Sequence, residues 1–360
     1  MIKLIHLVII FLIILYPFFE IVRIRSKKTN IQDYTLKKAV SVIMIVSNEE
    51  RNVDRKIKEI LVEPIWLPGS EFIIVSAGST DQTNSILHSH LHDLRIKVFI
   101  FEENNSKIES LNFAISRAKN EFLVFSDCRQ IMVKNSIFNL LKKLELEQVD
   151  IVNSTLINVN TPKNSIRNYI NLMNLRKSLD SNAMNIYGAL YVQRKSTTSV
   201  IPSNIIFDDL YVLASALSRN LKIKQADDAV IQDAKFVNYY AEERIQRLTR
   251  GLLLSLFRHF ELLRKMSFSN RFHFIMSKYS KLLVPILFLL LFLNIFINLF
   301  IQNFNELISS SIVAALVLFA VIINNHLKRT FQLIFYTLKA QYLYFFKNVR
   351  SVRWEKFKDY

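Results

Sequence analysis

The stretch EFLVFSDCRQ, residues 121–130, decides how the chain is read. Its first residues form a short apolar run with polar residues on either side, the pattern of an inner β-strand. Asp127 and Arg129 follow at once. In open α/β sheets, ligands bind just past the C-terminal ends of such strands. The same carboxylate would also serve as a turn or helix cap, so the rest of the chain has to discriminate.

Working outward, VSVIMIVS (40–47), EFIIVS (71–76) and IKVFIF (96–101) are further β-type runs. Helix-compatible polar segments separate them, at 49–61, 80–93 and 107–119. This alternation predicts a parallel sheet covered by helices. After residue 130 the order loosens. A helix is expected at 134–146, strands at 150–157 and 186–193, a helix at 208–219 and a strand at 222–231. The fold class expected is therefore α/β, a Rossmann-like mixed sheet flanked by helices.

The chain has only 4 glycines in 360 residues. Glycine is needed where the backbone turns to positive φ or approaches something closely. Gly78 follows the second strand in SAGSTDQT, and Gly188 lies in NIYGALYVQR. A strand end running into Gly-Ser-Thr-Asp and then a helix is a cradle for an oxygen-rich ligand, and equally a plain turn with an N-cap. It lacks the spacing of the dinucleotide and P-loop signatures. HSHLHD offers His88, His90 and His92, of which only His88 and His92 would share a helical face, a poor metal set.

Composition adds a membrane. The chain is 51% hydrophobic with 28 Phe and a net charge of +17. The bases flank three apolar runs, at 4–19, 282–301 and 307–323, each near spanning length. The first run ends in YPFFEIVRIRSKK, without the small-residue site of a cleaved signal peptide, and reads as an anchor. By the positive-inside rule, residues 24–280 and the C-terminus face the cytoplasm. Residues 331–346 read as an interfacial amphipathic helix. The expected division is an anchor (1–23), a cytoplasmic domain (38–240), basic interfacial helices (241–280), a transmembrane hairpin (281–325) and a basic tail (326–360). Because the bases track the bilayer flanks, nucleic acid is not an expected partner. The single cysteine, Cys128, excludes an intramolecular disulfide.

Together these pieces resemble the family 2 glycosyltransferases of GT-A fold in their membrane-anchored bacterial form. VSVIMIVSNEERN resembles the opening strand, EFIIVSAGSTDQT the second strand with its DDGSTD turn, and SKIESLNFAISRAKNEFLVFSDCRQ the segment ending in DxD. NIYGALYVQR resembles the acceptor-side segment, IIFDDLYV the acidic pair carrying the base, and ERIQRLTRG stands where QxxRW is usual. The resemblance implies an inverting, hexosyltransferase-like enzyme of polysaccharide biosynthesis in the cell envelope, in a multi-pass bacterial inner-membrane protein. It would move a sugar from a UDP- or GDP-sugar to a lipid-linked or growing glycan acceptor, beside membrane lipids. The donor would meet Ser47, Asn48, Glu49, Ser76, Ala77, Gly78, Lys107, Asn112, Ser126, Asp127, Arg129, Arg247 and Arg250. Asp127 would hold Mg²⁺ or Mn²⁺, oxygen-seeking cations that neutralise a departing diphosphate. Asp209, with Asp208 beside it, would supply the general base, and Gly188 and Ala189 would lie on the acceptor side.

The chain departs from that pattern at several positions. Ile45 and Ser47 stand where Pro and Tyr are common, Cys128 replaces a small residue, and RLTRG lacks the tryptophan of QxxRW. Two further departures bear on the donor. Ser76 and Ala77 replace the Asp-Asp whose carboxylate reads a uridine base. Arg129 takes the last position of DxD, where an arginine cannot bind a metal but would suit phosphate. The other reading of these departures is a catalytically impaired relative that serves as a sugar- or nucleotide-binding membrane subunit.

Overall fold

The computed structural model describes residues 8, 34–102, 105–158, 166–233, 241–302, 304–323 and 327–347. They fall into two compact units, one within Ser26–Lys235 and Glu261–Asn270, the other within Met1–Arg25, Phe236–Phe260 and Arg271–Tyr360. In chain order the first unit runs β1 (Val40–Val46), α1 (Val53–Leu61), β2 (Glu71–Ala77), α2 (Thr83–Ser89), β3 (Ile96–Phe101), α3 (Lys107–Arg117), β4 (Phe122–Ser126), β5 (Ile131–Met132), α4 (Ser136–Leu146), β6 (Ile151–Asn158), α5 (Ile166–Asp180), β7 (Leu190–Arg194), α6 (Asp208–Ser218) and β8 (Ile223–Asp233).

The strands make one mixed sheet in the order β3-β2-β1-β4-β7-β6-β8-β5. β1 pairs in parallel with β2 on one side and with β4 on the other. Both faces of β4 are buried throughout, which is why EFLVFS is a nearly unbroken apolar run rather than an alternating one. β7 then pairs antiparallel to β4. β7 is also antiparallel to β6, and β5 to β8, so the sheet is mixed, as expected.

Helices close the faces by ordinary amphipathic spacing. On α1, Val53, Ile57 and Ile60 are fully buried; on α4 so are Ile137, Leu140, Leu141 and Leu144. These are the i, i+3, i+4, i+7 positions of one helical stripe. The start of α4 is capped from a distance. Asn135, at φ 66°, makes no side-chain cap, and the buried Glu63 carboxylate instead accepts the N–H groups of Asn135 (2.6 Å), Ile137 (3.0 Å) and Phe138 (3.3 Å). These are orphan donors of a helix N-terminus. Burial still pushes the Glu63 carboxyl upward against those donors.

Two expectations need correction in this half. The strand expected at 186–193 begins only at Leu190, and α5 was not foreseen. The buried side of α5 is polar, with Asn171, Asn174 and Ser178 all under a tenth exposed, so no apolar stripe announces it. Asn174 Oδ1 accepts the N–H groups of Met184 (2.6 Å) and Asn185 (2.9 Å). Tyr187 donates its hydroxyl to Asn171 (3.0 Å) and its N–H to Asn153 (2.7 Å). These amides satisfy the backbone of residues 184–187 and keep it out of the sheet.

The second unit contains α7 (Ala241–Arg258); after the short helices α8 (Phe260–Lys265) and α9 (Phe268–Lys278) come α10 (Ser280–Phe300), α11 (Phe304–Ile323) and α12 (Leu327–Phe346). Ser310 on α11 donates to Asn294 on α10 at 2.6 Å. Gln341 on α12 donates to Leu282 O at 2.7 Å, and Lys339 pairs with Glu242 of α7 at 2.7 Å. Among the described residues, one helix, α10, is long and apolar enough to cross a membrane, with mean hydropathy 2.7. The described residues thus support one such helix, not the set expected at both ends. Apart from residue 8, the run at 4–19 lies outside the described residues, as does the tail at 348–360.

Candidate active site

The sheet order reverses at β1 and β4: from β1 the chain goes to β2 and β3 on one side, then returns to β4 on the other. At such a switch point the loops leaving adjacent strands splay apart and leave a crevice. The loop after β1 begins with Ser47, Asn48 and Glu49; the loop after β4 begins with Asp127.

On the far side of β4, Asp127 N donates to Ala189 O at 3.1 Å, which brings Gly188 beside the Asp127 side chain. A Cβ on Gly188 would stand 3.7 Å from Asp127 Oδ2, 4.0 Å from Asp209 Cβ and 4.0 Å from Lys107 Nζ. Residues widely separated in sequence therefore meet around one glycine. Lys107 Nζ lies 3.3 Å from Asp127 Oδ1 and 3.1 Å from Asp208 Oδ2. Its ammonium ties the Asp127 carboxylate to the acidic pair.

Local structure explains each position. Lys107 opens α3, whose start is fixed by a capping box between Ser106 and Glu109. Asp208 and Asp209 open α6, where carboxylates are favoured by the helix dipole. Asp209 Oδ1 also accepts Leu210 N at 2.7 Å. Burial works to lower the Lys107 pKa, but the charges of Asp127 and Asp208, with Asp209 behind them, outweigh it and raise it. The floor of the site is aromatic: Phe125 and Tyr191, register partners on β4 and β7, stack at 4.5 Å between ring centroids. Burial, then the charge of Asp208, pushes the Tyr191 hydroxyl well up.

The other residues expected on the donor side are placed as follows. Asn48, at φ 51°, locks the first two loops together: its N–H donates to Ser79 Oγ (3.1 Å) and its Oδ1 accepts Thr80 N (2.7 Å). Glu49 N donates to Thr83 Oγ1 at 2.8 Å. Gly78 takes φ 64°, the left-handed conformation for which glycine suits this turn. Ser47, Ser76, Ala77 and Ser126 are buried beneath this lattice. The Ser47 hydroxyl donates to Ala77 O (3.0 Å), the Ser76 hydroxyl to Asn84 Oδ1 (2.6 Å) and the Ser126 hydroxyl to Asp127 O (3.1 Å). Asn112 holds the backbone of Ile201 in both directions, at 2.8 and 3.0 Å.

Arg129 pairs with Glu49, Nε to Oε1 at 2.6 Å. Arg247 and Arg250 lie on α7 in the second unit, where Arg250 Nε donates to Gln246 O at 3.3 Å. His90 pairs with Asp54 at 2.9 Å, and no group of three metal-binding side chains assembles among the described residues. Sequence reading missed Arg55 and Glu59 of α1, whose polar atoms reach the loop after Asp127. Their i, i+4 spacing signals a helical ion pair and nothing about that loop.

What these residues offer chemically is a half-exposed carboxylate at a strand end, a base-competent acidic pair, and a cation between them. Residues 41–207 match the family described as Glycosyl transferase family 2. The chain is 25% identical over 118 residues to glycosyltransferase GlyG of Streptococcus pneumoniae serotype 4, a match covering 32% of this chain and 38% of that protein's length. Its fold resembles that of mannosyltransferase PcManGT from Pyrobaculum calidifontis, solved in complex with GDP-Man and Mn²⁺. The TM-score is 0.71 at 18% identity, over 96% of this chain and 99% of the other. A weaker likeness, TM-score 0.47 at 17% identity, links it to residues 1–349 of S. aureus TarS in complex with UDP, over 89% and 94% of the two chains.

Proposed function

We propose that the glycosyltransferase family 2 domain in this chain, with its GT-A-like mixed sheet, transfers a sugar with inversion from a nucleotide-sugar donor to a hydroxyl of a lipid-linked or growing glycan acceptor. One observation carries the reading. Asp127, from the switch-point side, and Asp209, from the start of α6, face the same glycine. A scaffold would gain nothing from assembling unlike-sourced carboxylates there.

In this reading Asp209 takes the proton from the attacking hydroxyl. The freed oxygen forms a bond to the anomeric carbon as the bond from that carbon to the diphosphate oxygen breaks, and the bonding pair leaves with the diphosphate. A single in-line displacement inverts the centre. Asp208 pairs with Lys107, and Asp209, beside it in the first turn of α6 and next to Gly188, is the carboxylate this reading assigns as the base.

A divalent cation fits Asp127. Its side chain is 35% exposed, and hard cations of this kind take one or two carboxylates and complete their shell with substrate phosphates. The cation would supply charge neutralisation for the leaving diphosphate. The Mn²⁺ and GDP-Man in the PcManGT structure support testing Mn²⁺ and guanosine donors first.

The apolar surface of α10 supports membrane attachment. Leu289, Leu293, Phe296 and Phe300 are all more than half exposed, an arrangement suited to lipid. With bases favouring the cytoplasmic side, the acceptor would be met at the inner membrane face. The test is a donor screen in membranes carrying the full chain, with and without chelator, beside Asp209→Asn. Transfer that survives in the Asn variant removes Asp209 from the mechanism, and failure with every donor in the wild type removes the activity.

A further inference from the structure

The loop that follows Asp127 is held by a helix that adds no group to the site. From α1, Arg55 Nη2 donates to Arg129 O at 2.8 Å and to Cys128 O at 3.4 Å, while Nη1 reaches Gln130 O at 3.4 Å. One guanidinium grips three consecutive carbonyls. Glu59, one turn later, holds Arg55 Nη1 at 2.5 Å with one oxygen. With the other it takes Lys56 Nζ at 2.8 Å and Met132 N at 3.2 Å. The Arg129 side chain is meanwhile drawn to Glu49. The backbone immediately after Asp127 is thus fixed from two directions.

The chemistry of this clamp is costly for a purely stabilising contact. Lys56 is fully buried, and removing charges from water costs several kcal/mol each. Apolar packing between α1 and the loop would hold them together at least as well. What packing lacks is direction: a planar fork of N–H donors fixes carbonyls in place.

We infer that Arg55 is a positioning residue, which sets the backbone of residues 128–130 so that Asp127 meets the donor's phosphate end in a preformed geometry. The inference rests on reading this site as a nucleotide-sugar site. Arg55→Met is the informative variant. It keeps the length of the stem, and Glu59 and Lys56 remain paired with each other, so no buried charge loses its partner. Arg55→Lys supplies one nitrogen where two served. Lys58→Ala is the control, because Lys58 is exposed on the same helix and pairs with Asp54 away from the loop.

The experiment is calorimetric titration of the full chain in detergent with Mn²⁺ plus UDP and with Mn²⁺ plus GDP, alongside thermal melting. Whichever nucleotide the wild type binds should be bound about tenfold more weakly by Arg55→Met, ~1.4 kcal/mol, with Arg55→Lys between the two and Lys58→Ala unchanged. A merely structural role would lower the melting temperature and leave affinity intact wherever the variant is still folded. An Arg55→Met protein that binds as tightly as wild type overturns the inference and leaves the proposed activity standing. A wild type that binds neither nucleotide overturns both.

Discussion

Arg129 Nε donates to Glu49 Oε1 at 2.6 Å, joining the loop after β4 to the loop after β1 across the crevice where the strand order reverses. Glu49 is 7% exposed and the Arg129 side chain 35%. The pair should therefore be worth more than a surface ion pair and less than a fully buried one. Arg129→Met leaves a buried carboxylate short of a cation and should cost about 2 kcal/mol. Glu49→Gln together with Arg129→Met should recover about half of that. Urea denaturation of the two single variants and the double gives the coupling directly; a coupling near zero would make the contact incidental.

Asp209→Asn keeps shape and removes basicity. Transfer should fall by about 10²–10⁴-fold, the usual worth of a positioned general base, while Mn²⁺–nucleotide binding stays near wild type. Asp208→Asn still offers Lys107 an oxygen and should lose less. Turnover of radiolabelled donor in membranes separates the two. Equal losses would contradict the division of labour between the pair.

Gly188→Ala should fold normally. No neighbour would stand closer than 3.7 Å to the new Cβ, and alanine in place of glycine narrows the unfolded ensemble, for a gain of about 0.4–1 kcal/mol where the backbone permits. The methyl would nevertheless enter the space between Asp127, Asp209 and Lys107. Transfer should drop about tenfold or more with the melting temperature unchanged or raised. Full activity would place the reacting centre elsewhere.

Acid should loosen the sheet through Glu71. Burial acts to raise its pKa, but Lys97, the Ser41 hydroxyl (2.7 Å) and Lys119 N (2.7 Å) together hold it below the ordinary value of 4.5. A carboxylate depressed in the fold contributes stability above its unfolded value and loses it as pH falls through the folded one. Glu71→Gln should therefore be less stable than wild type at pH 7, with the gap closing below about pH 4. Melting curves from pH 7 to pH 3 measure the convergence. Parallel curves would assign the acid sensitivity to other groups.

How much of this was legible in the chain depended on whether burial was apolar or polar. β1, β2 and β4 announce themselves because both faces of each strand are covered, so hydrophobicity persists along the run. Asp127 stands out as a carboxylate just past a strand end, Gly188 as one of few glycines, and Asp208 and Asp209 only through the family resemblance. The structure brings the four together, and their roles belong to the proposed function. The helix α5 was invisible because asparagines fill its inner face. The pairing of Arg129 with Glu49 was hidden for another reason. It joins residues on different strand ends, and no local period encodes such a distance.

The antiparallel seating of β7 against β4 has a consequence for synthesis. Until residues 190–194 leave the ribosome, β4 has one bare edge, a row of unsatisfied backbone groups able to recruit any passing strand. Gly188 emerges just before that stage and the acidic pair only after it. On the proposed reading an unfinished chain has no means of splitting a nucleotide sugar, but it carries an adhesive flank, so variants that slow the closing of this seam should surface first as aggregated nascent protein.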